Sequence, residues 1–430
     1  MFNKLCAIPD NNYICTYEQY THLLILYMKD ENMVSGVITR SVMQHIMHNG
    51  YFIISEIIED TGYSVTTVAK YVAQLIEDKI ISEIDKVNLH SKGRKTVRYG
   101  VGAERYYFLG VNVAYFEISI ALIDLSGHVV SEDRNHDFRF ENSHDALDTI
   151  CRYIIDFVNS TESVDMPMIK ACNFNLSGRV NSKKGTSGTI FNFEETTSTP
   201  LVDIISEKLG IRVFIENDTK AMTYGEYYSG LNRTYKNMCF VNIGWGLGLG
   251  LIIDGKLYYG KDGYSGEFGH TYLYDNNILC HCGKKGCLET EVSGRAIVRK
   301  LTERISAGES SLLSAKVRSG KTITNSEILA AVEKEDALCI ELVTEMGKEL
   351  GRQLAGIVNI LNPEVIVIGG SYSRIESCYF LQYIKLAIRQ YSLRLMSQDV
   401  PVLTSSLGTD AAVIGACMIA RSRTLMGETE

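Results

Sequence analysis

The sequence predicts an α/β protein that carries a small helical domain with a β-hairpin at its N-terminal end. From Tyr107 onwards, short apolar strands alternate with helical segments that are separated by glycines, a pattern typical of α/β folds. Before this point, from Ser35, short capped helices precede a basic hairpin. With 430 residues and 45% hydrophobic content, the chain is long enough for two or three domains with their own cores.

Composition excludes some classes of protein. The net charge of −8 argues against a generally basic surface, although a local basic patch is compatible with it. There is no apolar run of about 18 residues, and no apolar signal segment follows Met1–Lys4. We therefore expect a soluble, cytoplasmic protein with reduced thiols and no contact with a membrane.

Three domains are expected, with boundaries at 1–34, 35–106 and 107–430. The first is a helical extension with an amphipathic helix over Tyr17–Met28, which suits packing or a dimer contact. In the second, a helix over Val37–His48 ends at an Asn-Gly pair. Ser55 is expected to cap a helix over 56–61, and Ser64 a helix that runs to about Lys79.

The helix at 64–79 has one apolar face and one polar face. The expected buried stripe consists of Val65, Val68, Ala69, Val72, Leu75 and Ile76. The opposite face carries hydrogen-bonding groups that can reach phosphates and base edges in a major groove. This pattern predicts a helix-turn-helix with 64–79 as the recognition helix.

A basic hairpin follows, in which Ile80–Ile84 is expected to pair with Val97–Tyr99 around a tip at Ser91–Lys95. Residues 86–105 carry six basic side chains and one acidic one, which suits a wing that contacts the phosphate backbone. The predicted DNA-contacting residues are Ser64, Thr66, Thr67, Lys70, Tyr71, Lys92, Arg94 and Lys95. The alternative is a three-helix interaction module with a solvated basic loop.

Three cysteines and a histidine have the spacing H-x9-C-x-C-x4-C: His270, Cys280, Cys282 and Cys287. Such a set can complete a tetrahedral shell around Zn²⁺, with glycines at 283 and 286 allowing tight turns. With no coordination position left open, the zinc would be structural. A disulfide or ordinary buried thiols are the alternatives, and an odd number of cysteines in a reducing compartment argues against the disulfide.

This segment, Gly266–His270 with Cys280–Glu289, resembles the zinc and sugar-binding signature of the ROK (repressor, ORF, kinase) family. The resemblance covers about residues 35–421. It implies that 107–430 forms a two-lobed actin-like ATPase (ribonuclease H-like) domain, with a zinc loop at 270–287 and a sugar bound between the lobes.

The sugar half of the family's site has matches in this chain. Ile215–Ala221 resembles the family's Asn-Asp-x-Asn-Ala motif, in which the residue matching Asp218 is the general base of the kinases; here it would be vestigial. Capping of the following helix is the alternative role for that motif. The sugar-binding residues that the resemblance implies are Gly178, Asn192, Asn217, Asp218, Glu267, His270 and Glu289.

The phosphate half does not match. Where the kinases carry Asp-x-Gly-Gly-Thr, this chain has Asn112–Phe116, so side chains occupy the space in which glycine N–H groups would meet phosphate. In the second phosphate loop, Val241–Gly250, Trp245 stands in place of a small hydroxyl residue. We therefore expect that the protein is not an enzyme, because phosphoryl transfer depends on positioning the phosphates.

Towards the C-terminus, 306–325 has the composition of a mobile loop, and helices are expected over 326–335 and 336–359. A buried strand at Asn362–Gly370, a last strand at Val402–Ser406 and a closing helix at Asp410–Arg421 complete the pattern.

The resemblance is nearest to the xylose-repressor and N-acetylglucosamine-repressor branch of the family. It implies a sugar-responsive DNA-binding transcriptional regulator, a homodimer or a dimer of dimers, that releases operator DNA when a monosaccharide binds. One alternative is a ROK-type sugar kinase that transfers the γ-phosphate of ATP to a hexose or amino sugar. Another is a regulator that responds to a partner protein and not to a metabolite.

Overall fold

The computed structural model describes residues 33–78, 80–87, 95–101, 106–135, 138–193, 196, 198–231, 233–375 and 378–426. The expected helix at 17–28 lies outside these residues, as do Lys79, Lys92 and Arg94. Within the described part of the chain, no helix is both long enough and apolar enough to cross a membrane.

The N-terminal part consists of three helices and an antiparallel hairpin. Its elements are α1 (Met33–Asn49), α2 (Ile54–Thr61), α3 (Val65–Glu77), β1 (Ile81–Val87) and β2 (Thr96–Val101). Their apolar side chains share one core, to which α3 contributes Val68, Val72 and Leu75. Ser64 caps α3 as expected, because its hydroxyl accepts the N–H of Thr67 at 3.2 Å.

Two local expectations in this part were wrong. Ser55 is not a cap: α2 begins at Ile54, and Glu56 accepts the N–H of the N-cap residue Ile53 at 2.8 Å. Val65 is not part of the buried stripe, because its side chain is 62% exposed in the first turn of α3. A residue in the first turn keeps the helical spacing, but it lies beyond the end of the apolar surface against which the helix packs.

The first lobe is built on a five-stranded sheet with the order β5-β4-β3-β6-β9. Its strands are β3 (Tyr107–Val113), β4 (Ile118–Asp124), β5 (Val129–Asn135), β6 (Ile169–Leu176) and β9 (Val213–Asn217), and a small hairpin is formed by β7 (Val180–Asn181) and β8 (Thr186–Ser187). Helices α4 (His144–Ser160) and α5 (Leu201–Leu209) contribute apolar side chains to the core of this lobe. Strands β3, β6 and β9 are parallel, so their carboxyl ends meet at one edge.

Helix α6 (Asp218–Gly225) follows β9 and leads through one turn of π-helix to the second lobe. That lobe has a sheet of order β12-β11-β10-β13-β14. Its strands are β10 (Met238–Ile243), β11 (Leu247–Ile253), β12 (Lys256–Leu257), β13 (Val365–Gly369) and β14 (Val402–Thr404). Its helices are α7 (Gly294–Ser306), α8 (Ser314–Arg318), α9 (Asn325–Glu333), α10 (Ala337–Leu361), α11 (Leu381–Tyr391) and α12 (Arg394–Ser397).

The composition of the segment 306–325 indicated a mobile loop, but the structure shows that it is not a loop throughout. It contains α8, and Ile323 is buried while Leu313 and Val317 pack against the core of the second lobe. The buried carboxylate of Asp336 accepts the N–H of Leu312 at 2.5 Å and anchors this segment to the start of α10. Tertiary packing therefore overrides the local preference of a Ser-, Gly- and Lys-rich stretch.

The last helix, α13 (Ala411–Met426), joins the parts of the molecule. It crosses α6 so closely that a Cβ atom at Gly415 would lie 1.9 Å from the carbonyl oxygen of Ala221. Its side chains also enter the apolar core that contains α1 and the outer face of β3 and β4. The helix continues five residues beyond the expected end at Arg421.

Candidate functional site

The clearest functional feature is the cluster formed by His270, Cys280, Cys282 and Cys287, whose donor atoms all lie within 4.8 Å of one another. The Sγ atoms of Cys282 and Cys287 are 3.6 Å apart. In a tetrahedral site with Zn–S bonds of about 2.3 Å, two thiolates lie about 3.8 Å apart. Nδ1 of His270 is 3.5 Å from Sγ of Cys280, so this nitrogen faces the thiols. The donor set therefore fits a zinc ion.

Two glycine turns bring these thiols together. Gly283 and Gly286 have φ of +87° and +75°, a conformation that residues with a Cβ atom rarely adopt. At Gly286 a Cβ atom would also lie 2.2 Å from the carbonyl oxygen of Tyr274. The loop closes where the N–H of Cys280 donates to the carbonyl of Lys284 at 2.8 Å.

His270 connects the thiol cluster to the polar pocket beside it. Its second ring nitrogen, Nε2, lies 3.7 Å from a carboxylate oxygen of Glu267. Burial lowers the pKa of His270, against the opposing field of Glu289 and Glu267, and so favours the neutral ring that a metal ligand requires. An imidazole with one nitrogen towards a metal and the other towards a carboxylate is held in a fixed orientation.

Sequence reasoning missed His281 as a site residue. Its Nδ1 lies 2.8 Å from Oε1 of Glu289, while the N–H of Leu247 donates to Oε2 of the same carboxylate at 3.0 Å. Burial of Glu289 opposes ionisation, but these contacts hold its pKa below the usual value. The position of His281 between two metal-ligand cysteines was the only signal in the sequence.

A second group lies at the carboxyl end of β9. Oγ of Ser177 donates to Oδ2 of Asp218 at 2.7 Å, and the side-chain amide of Asn217 donates to the carbonyl of Gly178 at 2.9 Å. The oxygen of the same amide accepts the N–H of Lys220 at 3.1 Å, so Asn217 and not Asp218 caps α6. Burial raises the pKa of Asp218, although several hydrogen bonds oppose the shift.

The two groups face each other. Nζ of Lys220 donates to the carbonyl of Ser265 at 3.0 Å, close to Glu267, and the charges of Glu267 and Asp218 both act on this ammonium. Arg179, next to Gly178, lies close enough to affect the pKa of His270. Hydroxyl-binding groups that are brought together from both segments are suited to a small polyol.

Asn192 is exposed on the turn after β8, where its side-chain oxygen accepts the hydroxyl of Thr196 at 3.5 Å. Its predicted contact with a sugar stays a prediction.

Aromatic side chains occupy the two turns whose sequences do not match the phosphate loops of the family. Tyr115 and Phe116 lie between β3 and β4 of the first lobe, and Trp245 lies between β10 and β11 of the second. The indole is stacked on the ring of Tyr115 at a centroid distance of 6.0 Å and meets the edge of Phe116 at 5.0 Å. The guanidinium of Arg295, at the start of α7, lies 5.8 Å from the indole. This contact fills space between the lobes with apolar rings.

The predicted DNA-contacting residues on α3 lie at its N-terminal end. Ser64, Thr66 and Lys70 are exposed, Thr67 is half-buried, and Tyr71 packs partly against the core. In the hairpin, Lys95 is exposed.

The basic charge of the hairpin is smaller than its sequence indicated. Arg98 is paired with Asp85 on the neighbouring strand, with Nε 2.7 Å from Oδ1, and it lies over the ring of Tyr51. The charge of Arg98 is therefore already balanced within the protein.

Comparison with known proteins places the chain among both regulators and kinases. It is 27% identical to the DNA-binding transcriptional repressor Mlc of Escherichia coli, over 82% of this chain and 85% of that protein. It is 26% identical to the xylose repressor of Bacillus spizizenii, over 91% of this chain and 96% of that protein.

Two solved structures extend these similarities. A ROK family transcriptional regulator, a homologue of the E. coli Mlc protein, superimposes with a TM-score of 0.74 at 27% identity and covers 91% of this chain and 97% of its own. A ROK glucokinase from Streptomyces griseus in complex with glucose and AMPPNP gives 0.63 at 27% identity, over 74% and 99% of the two chains. The ROK family itself matches residues 108–423, which is well over half of the sequence. The protein therefore belongs to the ROK family, and its residues from 108 onwards form the mixed α/β domain of that family.

Proposed function

We propose that the protein is a sugar-responsive DNA-binding transcriptional regulator, a repressor that leaves its operator when a monosaccharide binds between the lobes. One observation carries the proposal. The similarity to a ROK regulator of known structure extends over 91% of the chain, whereas the glucokinase matches 74%. The regulator therefore matches a larger share of this chain than the glucokinase does. The difference corresponds in size to the three helices and hairpin that precede residue 108, which in this proposal form a winged helix-turn-helix.

The pocket supports a sugar as the effector. Carboxylate, amide and imidazole groups from Asp218, Asn217, Glu267, Glu289 and His270 converge near the cleft, and each offers hydrogen bonds that suit hydroxyl groups. In this proposal, zinc bound by the thiols and His270 is structural, and it positions His270 and the loop before Glu289. Gly178 positions the side chain of Asn217, because its carbonyl accepts the side-chain amide of Asn217. We also propose that Asn192 contacts the sugar.

The proposal also excludes phosphoryl transfer. The rings of Tyr115, Phe116 and Trp245 contact one another at the two turns whose sequences do not match the phosphate loops of the kinases, which supports this part of the proposal. Asp218, although its raised pKa would suit proton transfer, then has no phosphate donor to act with. We expect no transfer of phosphate from ATP to any of a panel of hexoses, pentoses and amino sugars in a coupled assay.

The decisive experiment has two steps. A thermal-shift screen with D-glucose, D-xylose, N-acetyl-D-glucosamine and their phosphates should identify a sugar that raises Tm by mass action. In the second step, the protein should select specific duplexes from a random library. At constant salt, the sugar identified in the first step should weaken the binding of these duplexes. If the protein selects no duplex at low ionic strength, or phosphorylates the sugar at an enzyme-like rate, the proposal is wrong. Light scattering would test the expected dimer or dimer of dimers.

A further inference from the structure

The ion pair between Arg423 and Glu216 lies directly behind the candidate sugar pocket. The guanidinium donates to Oε2 of Glu216 at 2.6 Å and to the main-chain carbonyl of Ile215 at 3.2 Å. Glu216 is 1% exposed, and Arg423 is also largely shielded from solvent. Both contacts hold β9 at Ile215 and Glu216, immediately before Asn217 and Asp218, so Arg423 fixes the strand end that presents these two side chains.

The same carboxylate also holds the other side of the pocket. Its Oε1 accepts the N–H of Asn217 at 2.8 Å, and the hydroxyl of Tyr259 donates to Oε2 at 3.0 Å. Tyr259 begins the segment that continues through Ser265, whose carbonyl accepts Nζ of Lys220, to Glu267. Glu216 and Arg423 therefore contact both chain segments that bring polar groups to the cleft.

Arg423 is part of α13, and another face of this helix packs against the DNA-binding domain. Met418 and Leu425 of α13 belong to the same buried core as Ile38 and Val42 of α1. Met418 and Leu425 are seven residues apart and lie on one face, whereas Arg423 lies about 140° round the helix from Met418. One rigid helix thus contacts the pocket through one face and α1 through the other.

We propose that Arg423 is a positioning residue that couples the sugar pocket to the DNA-binding domain. This inference rests on the proposed function, because it concerns how binding at one site changes affinity at the other. A sugar that draws Asn217, Asp218 and Glu267 together moves the carboxylate of Glu216, and Arg423 transmits that movement to α13 and so to α1. The effect is a coupling between two sites, and coupling is reciprocal: DNA must change sugar affinity by the same factor.

Two variants remove this connection in different ways. Arg423→Lys keeps the charge but loses the planar fork that holds Glu216 and the carbonyl of Ile215 together. The double variant Glu216→Leu/Arg423→Met replaces the whole pair with apolar side chains, so that neither charge is left buried and unpaired. The matched control is Arg134→Lys, which weakens an ion pair of 2.5 Å with Asp410, just before α13 but away from the pocket.

The experiment measures four affinities for each full-length protein: for a duplex selected from the random library, with and without the sugar of largest thermal shift, and for that sugar with and without the duplex. In the wild type, we expect the sugar to change the affinity for the duplex by about 5- to 150-fold, the usual size of such a coupling. We expect this coupling factor, the ratio of duplex affinities without and with the sugar, to fall towards one in both Arg423 variants and to be unchanged in Arg134→Lys. Affinity for the duplex without sugar should stay within about twofold, whereas a purely structural role would lower Tm and duplex affinity together.

The outcomes are distinguishable. If the sugar does not change duplex affinity in the wild type, the proposed function fails and this inference fails with it. If the wild type responds and a folded Arg423 variant responds by the same factor, only the coupling role of Arg423 is wrong. If Arg423→Lys does not fold, the apolar double variant tests the coupling instead. If neither variant folds, Arg423 is a structural residue and the inference is rejected.

Discussion

The ring of Tyr115 is stacked on the ring of Trp245 across the cleft between the lobes, with 6.0 Å between their centroids and 12° between their planes. Each residue lies at the tip of a hairpin, one in each five-stranded sheet. The two tips meet directly, and an aromatic pair of this kind contributes about 0.5–1.5 kcal/mol beyond its buried area.

The first prediction uses Trp245, which is the only tryptophan in the chain. Tyr115→Ala should shift its fluorescence emission to longer wavelength and increase quenching by acrylamide, because the indole loses its stacking partner. Loss of the contact between the lobes should also weaken binding of the effector sugar by about 2- to 10-fold. Emission spectra and a sugar titration check both effects.

Tyr391→Ala provides the control, because Tyr391 is also about half exposed but lies on α11, where Arg352 covers its ring. It should leave the emission of Trp245 and the sugar affinity unchanged. An unaltered spectrum in Tyr115→Ala would show that the two rings do not stack in solution.

The second prediction concerns the zinc cluster. Cys282→Ser should reduce bound zinc from about one ion per chain to a small fraction, as measured by mass spectrometry of the metal. Tm should fall by about 5 °C or more, since each kcal/mol shifts the Tm of a domain of 150–250 residues by about 2–4 °C. Sugar affinity should fall as well, because zinc bound at this cluster would hold the ring of His270, which lies close to Glu267.

Cys378→Ser is the matched variant, since Cys378 lies outside the cluster and is exposed. It should bind zinc and melt as the wild type does. If Cys282→Ser keeps its melting temperature, the cluster is not a structural metal site.

The third prediction concerns the surface of α3. Lys70 is exposed on the helix face opposite Val68, Val72 and Leu75. Lys70→Ala should weaken binding to every duplex by a similar factor. It should also reduce the slope of log affinity against log salt by about 0.9, the value expected when one phosphate contact is lost. Filter binding at several salt concentrations measures this slope.

Sugar affinity of Lys70→Ala should remain that of the wild type, because α3 does not line the cleft. Lys321→Ala, a change of the same type on the exposed surface of the second lobe, should alter neither quantity. If the slope of log affinity against log salt is the same for Lys70→Ala and the wild type, α3 is not part of the DNA interface.

The fourth prediction follows from Asp336, the N-cap of α10. Burial opposes its ionisation, but the N–H groups of Cys339 and Leu312 donate to its carboxylate and hold its pKa below the usual value. Because the folded pKa lies below the unfolded value of about 3.9, the contribution of Asp336 to stability is complete above that pH and is lost as pH falls through the folded pKa.

Asp336→Asn offers a single acceptor oxygen for two N–H groups and should destabilise the protein by about 1–2 kcal/mol at pH 7. The difference in Tm from the wild type should shrink as the pH is lowered from 5 to 3. Asp262→Asn, which changes an exposed carboxylate, should show no such trend. A difference in Tm that is the same at pH 3 and pH 7 would contradict this role for the carboxylate.

Much of the fold could be predicted from local patterns. The apolar strands, the cap at Ser64 and the cysteine spacing each depend on residues that are close in the chain. The clustering of His270 with the three cysteines was predictable because three of the four members lie within eight residues, and glycines at 283 and 286 make the required turns.

Other features depend on how the chain folds back on itself, which the spacing of residue types does not indicate. The role of His281 depends on its distance from Glu289, and the pairing of Arg98 with Asp85 depends on strand register. Exposure of Val65 and burial of Ile323 were misjudged because helical spacing and composition do not specify where a neighbouring surface ends.

The sequence by itself determined the family and the α/β architecture, since these follow from residue types at short spacings. Only the tertiary structure decided that Tyr115 meets Trp245 and that Arg423 lies behind Asn217 and Asp218 while its helix contacts α1. The reason is physical. Contacts between residues that are far apart in the chain are set by the packing of whole elements. That packing minimises the free energy of the complete chain, whereas local preferences act over only a few residues.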